Sequence, residues 1–198
     1  MESSKKHIPE SCHVCLIYEN EEQRQKIVAD YIAEGLRKGE LVHYFTDKTT
    51  PKTVRSWLLG IGMELSETEK TGSFSISKAE KAYCPDSKFV LPQKMIDGSI
   101  LRYDEAKKTG YKESHACGEM TCTLKDISGS NQLLEYEVLL NSVTSTFPHT
   151  GMCQYDARLF NGAALFNVLK VHPFMIAQGQ VVSNPFYIKP EEFIAGNT

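Results

Sequence analysis

Nearly continuous apolar runs alternate along this chain with segments whose apolar positions recur every three or four residues. Cys12 to Tyr18 reads as a buried strand. Asn20 then caps a helix, with Gln23 three residues on, and Ile27, Val28, Tyr31, Ile32 and Leu36 keep helical spacing until Gly39 stops it. Leu41 to Thr46 is the next strand. Thr49 or Thr50 before Pro51 opens a helix through Val54, Trp57 and Leu58 that ends near Gly60 to Gly62. Gly72 to Ser77 is again strand-like, whereas Lys78 to Lys88 has no clear period and predicts a loop with local helix. A helix from about Pro92 to Thr109, a strand over Glu113 to Cys117, a long helix from Gly129 to Phe147 and a strand over Gly151 to Tyr155 follow. Gly162 to Val171 is the last predicted helix. Phe174 to Ala177 and Val181-Val182 predict a closing hairpin across Gln178-Gly179-Gln180.

Repeated strand–helix units predict an α/β domain in three layers: a mostly parallel sheet, helices on both faces and an antiparallel C-terminal edge. Ligands of such sheets bind beyond the carboxyl ends of the strands, which draws attention to Tyr18, Glu19, Asp47, Glu119, Tyr155, Asp156 and Arg158. Several core-like segments are also unexpectedly polar: Leu134-Glu135-Tyr136-Glu137 with Asn141, Cys153-Gln154-Tyr155-Asp156, and His172-Pro173. Polar groups taken into a core cost free energy unless they find partners, so these positions imply a hydrogen-bonded network or a site.

The 198 residues, 41% hydrophobic and 24% charged, are enough for one domain with a real core. The division expected is a flexible segment over 1–11, one domain over 12–194 and a tail over 195–198. A net charge of -3, with Lys and Arg dispersed, excludes a general pull toward nucleic acid or anionic membrane. The polar start, Met1 to Glu10, has no apolar signal core, and no apolar run approaches the roughly 20 residues that span a bilayer. A cytoplasmic protein with its six cysteines reduced is therefore expected.

The order of motifs makes a family visible. His13-Val14-Cys15-Leu16-Ile17-Tyr18-Glu19, Gly118-Glu119-Met120, Leu134-Glu135-Tyr136-Glu137 with Asn141, Cys153-Gln154-Tyr155-Asp156 with Phe160, His172-Pro173, Asn184-Pro185-Phe186-Tyr187 and Pro190-Glu191-Glu192-Phe193 resemble the MEDS domain, the methanogen/methylotroph sensory domain. The resemblance covers roughly residues 12 to 194. It implies a RecA- and KaiC-like fold without the phosphate-binding loop, and the sensing of a small organic molecule, with hydrocarbon derivatives as the suggested class. Family members often carry a DNA-binding helix-turn-helix or a histidine kinase in the same chain. Neither is readable in these residues, so the output is expected through a separate regulatory or kinase protein, or through a homodimer, without direct nucleic-acid or membrane contact.

The residues agree with a sensor. After the first strand the chain reads Glu19-Asn20-Glu21-Glu22-Gln23-Arg24, without G-x-x-x-x-G-K-[ST] and with carboxylates where a phosphate would sit, which argues against ATP hydrolysis. Ligand-binding candidates are His13, Tyr18, Glu119, Glu137, Asn141, Tyr155 and Asp156. Glu119 is expected to face an apolar crevice that raises its pKa; if the site is real, Glu119→Gln weakens ligand response more than stability. Glu137 and Asn141 share a helix face, and which of Glu135 and Glu137 is structural stays open. Asp156 with Arg158 reads as a surface salt bridge, and His172 as a helix-end imidazole. No cofactor is required. His13, Cys15, His115 and Cys117 form two spaced pairs that would converge on a metal if their strands were neighbours. The competing reading makes them apolar filler and core-bonded imidazoles, and the absence of any zinc-finger spacing favours it. A partner-binding module without a ligand, or a cysteine- or metal-dependent enzyme, is the alternative to a sensor.

Overall fold

The computed structural model describes residues 9–124 and 132–196. Most of the 1–11 segment and the start of the predicted Gly129 helix lie outside the described residues. In chain order the elements are β1 His13–Tyr18, α1 Glu21–Lys38, β2 Leu41–Thr46, α2 Pro51–Gly60, α3 Ser66–Lys70, β3 Phe74–Lys78 and α4 Ala79–Tyr83. Then come α5 Pro92–Lys108, β4 Ser114–Glu119, α6 Leu133–Thr146, β5 His149–Asp156, α7 Gly162–Lys170, β6 Phe174–Ala177, β7 Gln180–Ser183 and α8 Pro190–Gly196.

Local chemistry sets these bounds. Asn20 accepts from the backbone N–H of Glu22 and Gln23, and Gly39 ends α1 at φ 74°, a left-handed value that favours glycine. Thr50 caps α2 with Pro51 in its first turn, and Asn161 caps α7. Gln178 and Gly179, at φ 50° and 71°, form the two-residue turn between β6 and β7. The short helices α3 and α8 have too few residues to show a period and were not foreseen.

The seven strands form one sheet in the order β3-β2-β4-β5-β1-β6-β7, parallel throughout except for β7 against β6. Side chains alternate across it. Val14, Leu16, Tyr18, Val42, Tyr44, Cys117 and Met152 pack under α1 and α2. Cys15, Phe45, Cys153 and Tyr155 pack under α4, α5, α6 and α7 on the other face. Tyr31 ties α1 to the sheet by donating to the carbonyls of Ala116 and Thr150. All eight residues of β5 are buried, which marks it as a central strand.

Candidate functional site

Strand alternation divides the seven ligand-binding candidates into two groups on opposite faces. Tyr18, Glu119 and Asp156 lie on the α1 face, at the carboxyl ends of β1, β4 and β5. There Arg24, only 2% exposed, is the hub. Its guanidinium donates to Gln154 Oε1 (2.8 Å), Tyr44 OH (3.0 Å), Thr49 Oγ1 (2.9 Å) and Glu119 Oε1 (2.9 Å), and it lies over the rings of Tyr18 and Trp57. Glu119 Oε1 also accepts from Tyr44, and its Oε2 accepts three successive backbone amides, Asp47, Lys48 and Thr49, at 3.0, 2.6 and 3.1 Å.

Burial pushes the Glu119 carboxyl up, but Arg24 and the bonds from Thr49 and Tyr44 outweigh it and hold the group below the usual carboxylate range. The raised pKa expected for Glu119 is thus reversed, because five donors surround what the sequence placed in an apolar crevice. Asp156 pairs with Arg158 through Nε and Nη2, both at 2.7 Å, as foreseen for a surface bridge. The β1–α1 connection is only Glu19 and Asn20, and Asn20 is occupied in capping.

The other four candidates meet beneath α6. His13, at the start rather than the end of β1, is fully buried. Its Nδ1 lies 3.0 Å from Asn141 Oδ1, and Asn141 Nδ2 donates to the Val171 carbonyl. That second bond orients the amide, so Oδ1 must accept and His13 Nδ1 must carry a proton. His13 Nε2 faces Glu137 Oε2 at 3.2 Å and Cys153 Sγ at 3.4 Å. The hydroxyl of Tyr155 donates to Glu137 Oε1, and the Cys153 thiol lies 3.4 Å from Oε2.

His172 completes the cluster. Its Nδ1 donates to the Val168 carbonyl at the end of α7, the helix-end role read from sequence, while Nε2 stands 3.6 Å from Glu137 Oε2. Burial raises the Glu137 carboxyl, yet the bond from His13 and the presence of His172 bring it below its ordinary value. Burial, with His13 beside it, drops His172 to about 3. Glu137 is therefore the inward carboxylate and Glu135 the exposed one.

One disfavoured possibility and one expectation fail here. The four-residue metal set does not assemble, because β5 separates β4 from β1 and the two pairs occupy opposite faces. His115 instead stacks on Tyr31 under α1, with its Nδ1 2.8 Å from Glu40 Oε2. The second failure is location: the predicted single crevice at the strand ends is two buried clusters, one well back from those ends. Arg24 was missed, although it falls in register with the buried stripe Val28, Tyr31, Ile32 and Gly35.

Beside the lower cluster, the sheet and the helices above it leave a cavity of about 190 Å³. Phe45, Tyr83, Met95, Tyr136 and Leu140 supply apolar walls, and Gly98, Ala116, Gly118 and Gly151 leave the room. His43 is held by the hydroxyls of Ser75 (2.6 Å) and Ser77 (2.7 Å), and burial with Arg102 nearby lowers it to about 4. His149 contacts Ser114 Oγ at 2.7 Å and is lowered to about 3, first by burial and then by His115. Lys94 and Arg102, both exposed, stand at the open side. Cys153 belongs to both cavity and cluster.

All six cysteines are buried, and among the described residues none is joined in a disulfide. Burial pushes Cys12 and Cys15 up to about 12 and Cys117 and Cys153 well above the ordinary thiol range, so none of these four offers a low-pKa nucleophile. No helix of the described residues is long and apolar enough to cross a membrane.

Residues 12–173 match the family model of the MEthanogen/methylotroph, DcmR Sensory domain. The chain belongs to the MEDS family. Consistent with that, it is 24% identical over 163 residues to the transcriptional repressor DcmR of Methylorubrum extorquens, a match over 81% of this chain and 57% of the repressor. The chain thus spans little more than half the length of that relative. Among solved structures it is similar to the flagellar accessory protein FlaH of Methanocaldococcus jannaschii, with a TM-score of 0.63, 10% identity, and 88% of this chain and 76% of that one covered. The KaiC-like protein PH0186 of Pyrococcus horikoshii OT3 gives 0.56 and 14%, over 85% and 71%. The fold of this MEDS domain is therefore RecA/KaiC-like, as the motifs implied, and membership of a sensory family related to a repressor supports a role in signalling or regulation.

Proposed function

We propose that this MEDS domain senses a small organic molecule held in the cavity between the sheet and α5 and α6, and passes its bound state to a separate regulatory protein. The cavity carries the reading. A space of about 190 Å³ exceeds the ~150 Å³ that takes benzene, so it suits a compact molecule of about six to ten non-hydrogen atoms. Its walls are mostly apolar, and burial holds two of its histidines, His43 and His149, neutral, which favours a hydrocarbon body. Lys94 and Arg102 at the open side favour a head group that accepts hydrogen bonds or carries negative charge.

Response requires that the ligand prefer one conformation of the domain. Helix α5 contributes Lys94, Met95, Gly98 and Arg102 to the cavity and packs on α6, so a ligand that fixes α5 alters the outer surface of that layer. The test is an NMR titration with benzoate, benzamide, butyrate and butanol. Saturable shifts are expected at the Gly98, Ala116 and Gly118 amides, larger affinities for the two carboxylates, and loss of the shifts in Ala116→Leu while the melting temperature stays within a few degrees. No saturable shift at those amides with any of the four compounds sinks the reading.

A further inference from the structure

Four side chains from four elements aim donor atoms at one buried point: His13 from β1, Glu137 from α6, Cys153 from β5 and His172 from the residue pair after α7. Each offers one nitrogen, oxygen or sulfur atom that lies within 4.8 Å of the other three, and all four residues are buried. The outer contacts decide what these atoms present. Asn141 takes the Nδ1 proton of His13, and the Val168 carbonyl takes that of His172, so a neutral ring at either position turns a lone pair inward. Tyr155 saturates the outer oxygen of Glu137 and leaves the other oxygen facing in. Among the described residues, His172 Nε2, fully buried and aimed into the cluster, has no hydrogen-bond partner. With both rings neutral, the single thiol proton cannot serve three inward lone pairs, and either a second proton on His13 or a bound cation must satisfy them.

We propose that His13, Glu137, Cys153 and His172 form a tetrahedral site for zinc or a similar divalent transition metal. The spacing fits. Bonds of 2.0–2.3 Å to nitrogen, oxygen and sulfur place tetrahedral ligand atoms about 3.3–3.6 Å apart. The observed separations from Glu137 Oε2 to His13, Cys153 and His172 are 3.2, 3.4 and 3.6 Å, and His13 to Cys153 is 3.4 Å. The charge fits too. On binding, the Cys153 thiol releases its proton to solvent and the thiolate bonds the metal; with the Glu137 carboxylate it cancels the dication, so a neutral unit is buried.

The supporting shell is of the kind that holds metal ligands: each imidazole donates its far N–H to an oxygen, and the carboxylate accepts from Tyr155. Four protein ligands leave no open position, so the role is structural, joining β1, β5, α6 and the α7–β6 connection in one knot. Because Cys153 also borders the cavity, the knot sets the position of one of its walls. The site stands whether or not the cavity takes a ligand.

The test uses the full chain, unfolded under reductant and chelator, freed of chelator and refolded with Co²⁺ alone. One Co²⁺ per chain is expected, with the strong visible absorption of tetrahedral cobalt and a near-ultraviolet thiolate band. Cys153→Ser should lose the thiolate band, His172→Ala should bind at least tenfold more weakly, and Cys12→Ser, on the other face, should match the parent. Failure of the parent chain to take up cobalt in a saturable way, a thiolate band that survives Cys153→Ser, or unchanged affinity in His172→Ala each overturns the assignment. Should the variants not fold, X-ray absorption of the zinc-loaded parent decides: one sulfur among four ligands supports the site, and a sulfur-free shell refutes it.

Discussion

Glu119→Gln tests how the α1 face is held. The replacement keeps the shape and removes the charge from a group that is 2% exposed and pairs with an equally buried Arg24. It also introduces an NH₂ that must face either the Arg24 guanidinium or the amides of Asp47, Lys48 and Thr49, donor against donor in both orientations. Losing one partner of a buried pair costs about 3–5 kcal/mol. A urea slope of about 2 kcal/mol per molar turns that into a midpoint lowered by about 2 M. Arg24→Met supplies the second arm of a double-mutant cycle, and the pair should couple by about 2 kcal/mol or more. The measurement is urea unfolding followed by circular dichroism on the four proteins. A Glu119→Gln midpoint within about 0.5 M of the parent, or additive single effects, would refute the view that this carboxylate anchors the β2–α2 turn. The outcome also reverses the sequence expectation: stability should fail before any ligand response does.

Backbone approach and titration supply further predictions. Gly35→Ala sets a methyl 2.9 Å from His115 Cγ and 3.0 Å from Val42 Cγ2, which should cost about 1–3 kcal/mol in thermal unfolding; Gly98→Ala, with only Arg102 Nη1 at 3.7 Å, should gain up to about 1 kcal/mol of helix propensity. The opposite order would contradict the packing of α1 on the sheet. His43 protonates near 6.5 when unfolded and only at about 4 when folded, so the unfolded chain binds more protons between those values. Stability therefore declines as pH falls through that window. His43→Gln should flatten the decline of the urea midpoint, and an unaltered pH profile would show that burial does not hold this ring neutral.

The elements were legible because their periods are clean and their ends carry specific caps: Asn20, Gly39, Thr50 with Pro51, and the Gln178-Gly179 turn all act as their chemistry implies. The order of strands was less so. Nothing local to β1 or β4 says that β5 lies between them, and the metal pairing built on their adjacency failed for that reason. Of the lower cluster, Glu137, Asn141 and Tyr155 were picked out as polar residues on core-like segments, and His13 from the first motif of the family resemblance. What joined them with Cys153 and His172 was strand parity, which separates this set from Tyr18, Glu119 and Asp156. Arg24 escaped notice because a charge among Glu21, Glu22 and Lys26 reads as solvated, although its position in the buried stripe marks it as an inward residue.

That parity bears on how the chain reaches its fold. Strands β1, β4 and β5 each send polar groups to one or both faces, where their partners wait on different helices. A slip of one residue in β5 would turn Gln154 toward Glu137 and Cys153 toward Arg24, stranding two buried charges at once. An all-apolar sheet could tolerate such a misalignment as a loosely packed trap. Here the wrong register forfeits both networks together, so the same polar residues that cost burial energy act as a proofreading device for strand alignment.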